Sequence, residues 1–174
     1  MIHLFVLLMA ALPSPESALD LIQIPWKQLG YQIVFKPPRA GYRAMTFAGK
    51  HKIEVYARAQ DDQDLLAYDI AHEIGHVVDL TYNTPETRKA WMKMRGINPA
   101  TKWFGCSRCS DYNTPAGDFA ETFAMYLRGP KYFRSRIARR PTPEALAALS
   151  RFFPDKLLRN APVTAPVTST ATAN

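Results

Sequence analysis

The strongest periodic pattern of apolar side chains lies between residues 64 and 80. Apolar residues recur there about every 3.6 positions, which predicts an amphipathic helix with one buried face. The residues of that face are Leu65, Leu66, Ile70, Ile74, Val77 and Val78. We therefore take this helix as the element around which the chain is organised.

A second helical pattern occupies residues 118–127. Thr114 and Pro115 stand just before it, and Pro suits the first turn of a helix. Gly129 and Pro130 end it. Its apolar side, with spacing i, i+4 and i+8, consists of Phe119, Phe123 and Leu127.

The chain before the first helix has the composition of β-strands. Residues 31–35 are rich in β-branched and aromatic side chains, and residues 43–47 and 52–57 flank Gly49 and Lys50 as a hairpin. Two further helices are predicted, at residues 85–94 and from about 142 to 152. These elements indicate a small α+β domain with a short mixed or antiparallel sheet packed against the two main helices.

The first helix also carries a candidate for chemistry. His72 and His76 are one helical turn apart on one face, about 6 Å between Cβ atoms, so both imidazoles can reach one cation. Glu73 projects about 100° away from His72. It can therefore act on a metal-activated water without being a ligand, as zinc-dependent hydrolysis requires.

A catalytic zinc ion takes three protein ligands and leaves one position for water. No histidine follows His76, and only His3 and His51 precede the helix. The metzincin spacing is absent, because it requires glycine at position 79 and histidine at position 82, where this chain has Asp79 and Tyr82. The third ligand is therefore sought among the downstream acids and the two cysteines.

Asp118 and Glu121 are the strongest acidic candidates, since both lie on the second predicted helix. Two carboxylates at this spacing can face one cation, or one can bind it while the other orients a ligand histidine. The alternative is that Asp118 is only a first-turn charge that favours the helix dipole, and that Glu121 is exposed.

Taken together, the segments 72–79 and 118–124 resemble the zincin metallopeptidases of gluzincin type, in particular compact proteases similar to the catalytic domain of anthrax lethal factor. The resemblance implies a zinc peptidase with His72 and His76 as ligands and Glu73 as general base. It also implies a glutamate of the second helix as third ligand.

In that family the ligand glutamate lies four residues before a second acid, and here this position is Gly117. Glu121 is favoured as the third ligand for its angle and longer side chain, with Asp118 as the alternative. The resemblance further suggests Tyr112 as a group that polarises the transition-state oxyanion, against a packing role. It assigns residues 52–57 to the border of the cleft, where an exposed strand edge would bind an extended peptide.

Length and composition favour one domain, since 174 residues with 47% hydrophobic composition can bury one core. Residues 1–18 contain an apolar run typical of a signal peptide, although no basic residue precedes it, and predict a secreted or periplasmic protein. Residues 19–160 form the expected domain. The repetitive, uncharged residues 161–174 predict a disordered tail.

Cys106 and Cys109 form a Cys-x-x-Cys pair within a predicted loop. In an exported protein they are expected to close a disulfide. Together with His72 and His76 they also have the composition of a closed Cys2His2 structural zinc site, which is the first alternative to catalysis.

The formal net charge of +7 favours anionic partners. A basic protein that binds envelope polymers or nucleic acid, with a decayed metal site, is therefore the second alternative, although no nucleic-acid motif accompanies the charge. The preferred hypothesis is a zinc-dependent metallopeptidase that cleaves peptide or protein substrates, with no membrane span. Asp79 and Asp118 are candidates to fix the tautomer of a ligand imidazole.

Overall fold

The structure is a computed structural model that describes residues 14–105 and 110–158. These residues form three strands and five α-helices, joined by short 3₁₀ helices and loops. The elements are β1 (Gln32–Lys36), β2 (Ala44–Phe47), β3 (Lys52–Tyr56), α1 (Gln63–Tyr82), α2 (Pro85–Met94), α3 (Pro115–Arg128), α4 (Pro143–Leu149) and α5 (Asp155–Leu158). The predicted α+β class is confirmed.

The sheet is mixed, with strand order β1-β3-β2. β2 and β3 form the predicted antiparallel hairpin, and β1 adds to the other side of β3 in parallel. β3 is therefore the central strand, and the prediction that residues 52–57 offer a free edge is wrong. The pairing with β1 is a contact between distant segments, which the local pattern of β3 does not reveal. The edge strand on the side of the sheet opposite β1 is β2.

Helix α1 begins where the sequence places it. The side chain of Asp62 caps the first turn by accepting a hydrogen bond from the backbone N–H of Leu65. The apolar face of the helix, from Leu66 to Val78, is buried in the core. Ile53 and Val55 of β3 belong to the same core, so the sheet packs its inner face against this helix.

Helix α3 makes the most extensive contact with α1. Thr114 caps its start by accepting from the backbone N–H of Gly117, and Gly129 follows its end, as predicted. The two helices approach most closely at Gly75, where a Cβ atom would lie 2.8 Å from Cα of Ala120. The absence of a side chain at residue 75 therefore lets the backbones of the two helices come together.

The N-terminal part of the described chain also packs on α1. A 3₁₀ helix spans Pro15–Leu21, and its Ala18 is fully buried. Residues 1–13, the cysteines 106 and 109, and the tail from 161 to 174 lie outside the described residues, so the leader, disulfide and tail stay predictions. No helix of the described part is long and apolar enough to cross a membrane.

We expect Gly75→Ala to lower the free energy of unfolding by about 1–2 kcal/mol. A Cβ atom 2.8 Å from a backbone atom is a severe contact, so we place its cost in the upper part of the usual range of about 1–3 kcal/mol. The gain of about 1 kcal/mol in helix propensity offsets only part of this cost. Urea denaturation measures the change. Gly49→Ala is the control, because a Cβ there meets no atom within 4 Å. A Gly75→Ala variant as stable as the parent chain would contradict the close helix contact.

Candidate metal centre

Two imidazoles of α1 and one carboxylate from the turn before α3 converge at one point. The Nε2 atoms of His72 and His76 are 3.2 Å apart. Oδ2 of Asp111 lies 3.0 Å from Nε2 of His72 and 3.1 Å from Nε2 of His76. The three residues form a group that could hold a metal ion. With metal–ligand bonds of 2.0–2.1 Å, the donors of a tetrahedral zinc site are about 3.3 Å apart, so the triangle has nearly the required size.

Asp111 belongs to a short 3₁₀ helix, Asp111–Asn113, just before α3. The hydroxyl of Thr114 donates to the backbone oxygen of Asp111 at 2.9 Å and holds this turn against the start of α3. A Cβ atom at Gly117 would lie 2.2 Å from that backbone oxygen and 2.6 Å from Oδ2 of Asp111. Asp111 can therefore reach the histidines only because residue 117 has no side chain.

Sequence reasoning did not find Asp111, because it looked for the third ligand on the second helix. One feature of the sequence indicated this arrangement, namely Gly117, which stands at the position of the ligand glutamate in the family that the sequence resembles. The structure shows that the missing side chain makes room for a carboxylate from the preceding turn.

Glu121 lies on the other side of the His72 ring from the convergence point. Its Oε1 is 2.9 Å from Nδ1 of His72, at ion-pair distance but without good hydrogen-bond geometry. Its Oε2 accepts hydrogen bonds from the Tyr68 hydroxyl at 3.2 Å and from the backbone N–H of Arg134. The structure thus places Asp111 where Glu121 was expected, and Glu121 where it can orient the imidazole of His72.

Asp118 is fully buried, and its carboxylate is bound by other side chains. Arg95 donates to both of its carboxylate oxygens, at 2.7 and 2.8 Å, and Trp91 Nε1 and the Ser135 hydroxyl donate to it as well. These contacts neutralise the buried charge and tie α2 to α3. Its prediction as an alternative metal ligand or as an imidazole partner is therefore wrong.

Asp79 has a similar structural role. It accepts hydrogen bonds from Arg88 and Asn83, and from Nε1 of Trp103. It makes no hydrogen bond or ion pair with His72 or His76. The carboxylate that does approach a histidine from behind is that of Glu121.

Glu73 faces the same cavity as the two histidines. It is 7% exposed, and its Oε2 accepts a hydrogen bond from the hydroxyl of Thr46 at 2.7 Å. This contact with β2 holds the carboxylate in the cavity that His72, His76 and Asp111 also line, and Glu73 is not part of the group of candidate ligands. The arrangement leaves a proton acceptor in the same cavity as the candidate metal ligands.

Tyr112 lies beside the same cavity, and its ring centre is 5.7 Å from that of His72. Burial raises the pKa of Tyr112, and the neighbouring Arg134 opposes this rise only in part. The phenol therefore keeps its proton at neutral pH and can donate a hydrogen bond. The structure brings Tyr112 to the site, as the sequence suggested.

The cavity has a volume of about 630 Å³. It is lined by the edge strand β2, by His72, Glu73 and His76 of α1, and by the segment 110–112. The edge strand and the three candidate ligands therefore share one cavity.

The charges at the site favour a cation. Burial lowers the pKa of His72, but Asp111 and Glu121 outweigh burial and raise this pKa to about 10. Burial of Asp111 is likewise outweighed by His76 and His72, which hold the pKa of its carboxyl well below the usual range. Without a metal, a proton on His72 offsets part of the negative charge of the two carboxylates, and a divalent ion can replace that proton.

Comparisons with known proteins add no assignment: no protein-family model matches the chain, and no curated protein or solved structure gives a significant match. The site is therefore interpreted from its own geometry.

We expect Gly117→Ala to lower the affinity of the chain for Zn²⁺ by about 100-fold, the upper end of the cost of disturbing a supporting contact. The added Cβ would displace Asp111 while leaving both histidines on α1. Competition with a chromophoric chelator measures the affinity, and Gly49→Ala is again the control. An unchanged affinity would show that Asp111 is not a ligand.

Zinc affinity is also expected to rise with pH, by up to about tenfold per unit below pH 10 if one proton leaves His72 on binding. The raised pKa of His72 means that the metal competes with a proton throughout the neutral range. Chelator competition at pH 6, 7 and 8 tests this. A flat profile would mean that His72 is already neutral in the metal-free chain.

Proposed function

We propose that the protein is a zinc-dependent peptidase in which His72, His76 and Asp111 hold the ion. The observation that carries this proposal is the convergence of two imidazole nitrogens and one carboxylate oxygen beside a separate carboxylate, Glu73. A bound zinc ion would polarise the peptide carbonyl and lower the pKa of a coordinated water from 15.7 to about 7.

Glu73 supplies the acid–base chemistry in this proposal. Its carboxylate accepts a proton from the attacking water and returns it to the leaving amine. The hydrogen bond from Thr46 fixes one oxygen, Oε2, and leaves the other for the water. Glu121 keeps His72 oriented with Nε2 directed at the ion, a role that outer carboxylates commonly have in zinc sites.

Tyr112 is suited to stabilise negative charge on the substrate oxygen. Its partly buried phenol keeps its proton at neutral pH, as the raised pKa indicates. A donor held in a water-poor site interacts strongly with an oxyanion as it develops. In the proposed reaction, Tyr112 therefore acts on the carbonyl oxygen, whereas Glu73 acts on the water and the amine.

The edge strand β2 gives a means of substrate binding. The backbone N–H of Tyr56 donates to the backbone oxygen of Arg43, so Arg43 and Met45 direct their backbone groups toward β3. Ala44 and Thr46 then direct theirs away from β3, to the free edge of the sheet, and both residues line the cavity. An extended peptide can add to this edge through main-chain hydrogen bonds, which supports cleavage within a polypeptide.

The proposal is tested by Glu73→Gln. We expect one zinc ion per chain to be retained, because Glu73 is not a ligand, and kcat to fall by about 10²–10⁴-fold, the range for loss of a general base. Metal content is measured by elemental analysis, and activity with a mixture of fluorogenic peptides.

Glu86→Gln is the matched control, since Glu86 is an exposed glutamate of α2. Its activity should equal that of the parent chain. Full turnover by Glu73→Gln would remove Glu73 from the mechanism. Absence of zinc binding by the parent chain would overturn the metal centre itself.

A further inference from the structure

Among the described residues, four buried polar side-chain atoms have no hydrogen-bond partner, and three of them meet at one place. These three are Nδ1 of His72, Oε1 of Glu121 and Nε of Arg134. Oε1 of Glu121 lies 2.9 Å from Nδ1 of His72 and 3.8 Å from Nε of Arg134. One carboxylate oxygen therefore stands between an imidazole nitrogen and a guanidinium nitrogen, close to both.

Arg134 contacts the carboxylate of Glu121 through both its backbone and its side chain. Its backbone N–H donates to Oε2, and its guanidinium faces Oε1. Nη2 of Arg134 also donates to Oδ1 of Asp69 at 2.6 Å, which fixes the end of the side chain. Arg134 thus contacts both oxygens of a carboxylate that is fully shielded from solvent.

We propose that Arg134 is a positioning residue that acts on the metal centre through Glu121. This inference depends on the proposed zinc site. To bind zinc through Nε2, His72 must carry its proton on Nδ1, where Glu121 Oε1 is the nearest acceptor. Since no water reaches Glu121, the direction of its carboxylate depends on Tyr68 and Arg134.

A purely structural role for Arg134 is the competing explanation, because its ion pair with Asp69 joins the loop after α3 to α1. Arg134 also lies 5.1 Å from the ring centre of Tyr112, which offers a second route to the site. A double-mutant cycle with Glu121 separates these routes, because residues that act through one contact give non-additive losses.

The experiment measures the Zn²⁺ affinity of the full chain by chelator competition, alongside its urea midpoint without metal. We expect Arg134→Met to weaken zinc binding about tenfold, the low end for outer contacts, and Glu121→Gln to weaken it by about 10–100-fold. The double variant should bind no more weakly than Glu121→Gln alone. Arg134→Lys, which keeps the charge but not the planar fork, should give an intermediate loss.

Arg128→Met is the matched control. Arg128 is also a partly buried arginine with an unpartnered Nε, and it pairs with Asp64 and the backbone oxygen of Leu21, away from Glu121. Its loss should change the urea midpoint without changing zinc affinity.

Arg134→Met with the zinc affinity of the parent chain overturns the inference, as do multiplicative losses in the double variant. If Arg134→Met does not fold, the same cycle with Arg134→Lys decides between these outcomes. Failure of the parent chain to bind zinc is a different result, which overturns the proposed function together with this inference.

Discussion

The close packing of α3 on α1 is the contact on which the rest of the structure depends. Gly75 lets the two backbones meet at Ala120, and the next residue, Glu121, then reaches the His72 imidazole from behind. The same packing places the start of α3, and with it the turn that carries Asp111, over the open face of α1. A small change in the distance between these helices would move both carboxylates relative to the imidazole. The position of the candidate site is therefore fixed by helix packing in the core.

Asp111 and Gly117 together account for the carboxylate beside the two histidines. The sequence predicted this carboxylate on the second helix, whereas the helix has a glycine at residue 117 and the preceding turn provides the oxygen. A site of this kind is defined by the positions of its donor atoms in the folded chain. A sequence search for two helical motifs in a fixed order does not detect it.

Local patterns predicted the elements well, because periodicity and capping residues act within a few positions. The helix at residues 64–80, the entry of α3 at Thr114 and Pro115, and the hairpin around Gly49 were all found this way. The parallel addition of β1 to β3 and the approach of Asp111 were not, because both join segments that only the folded core brings together. The prediction for Asp118 was wrong for a related reason, since its partner Arg95 lies just after α2 and the sequence gives no sign of that pairing.

The three candidate donors differ in their access to solvent. The side chain of His72 is 6% exposed, while that of Asp111 is 42% exposed. An ion held here would have two ligands shielded by the fold, His72 and His76, and one ligand in contact with water, Asp111. The metal ion would then enter and leave on the side of Asp111, so a chelator could remove it from the folded protein without unfolding the chain.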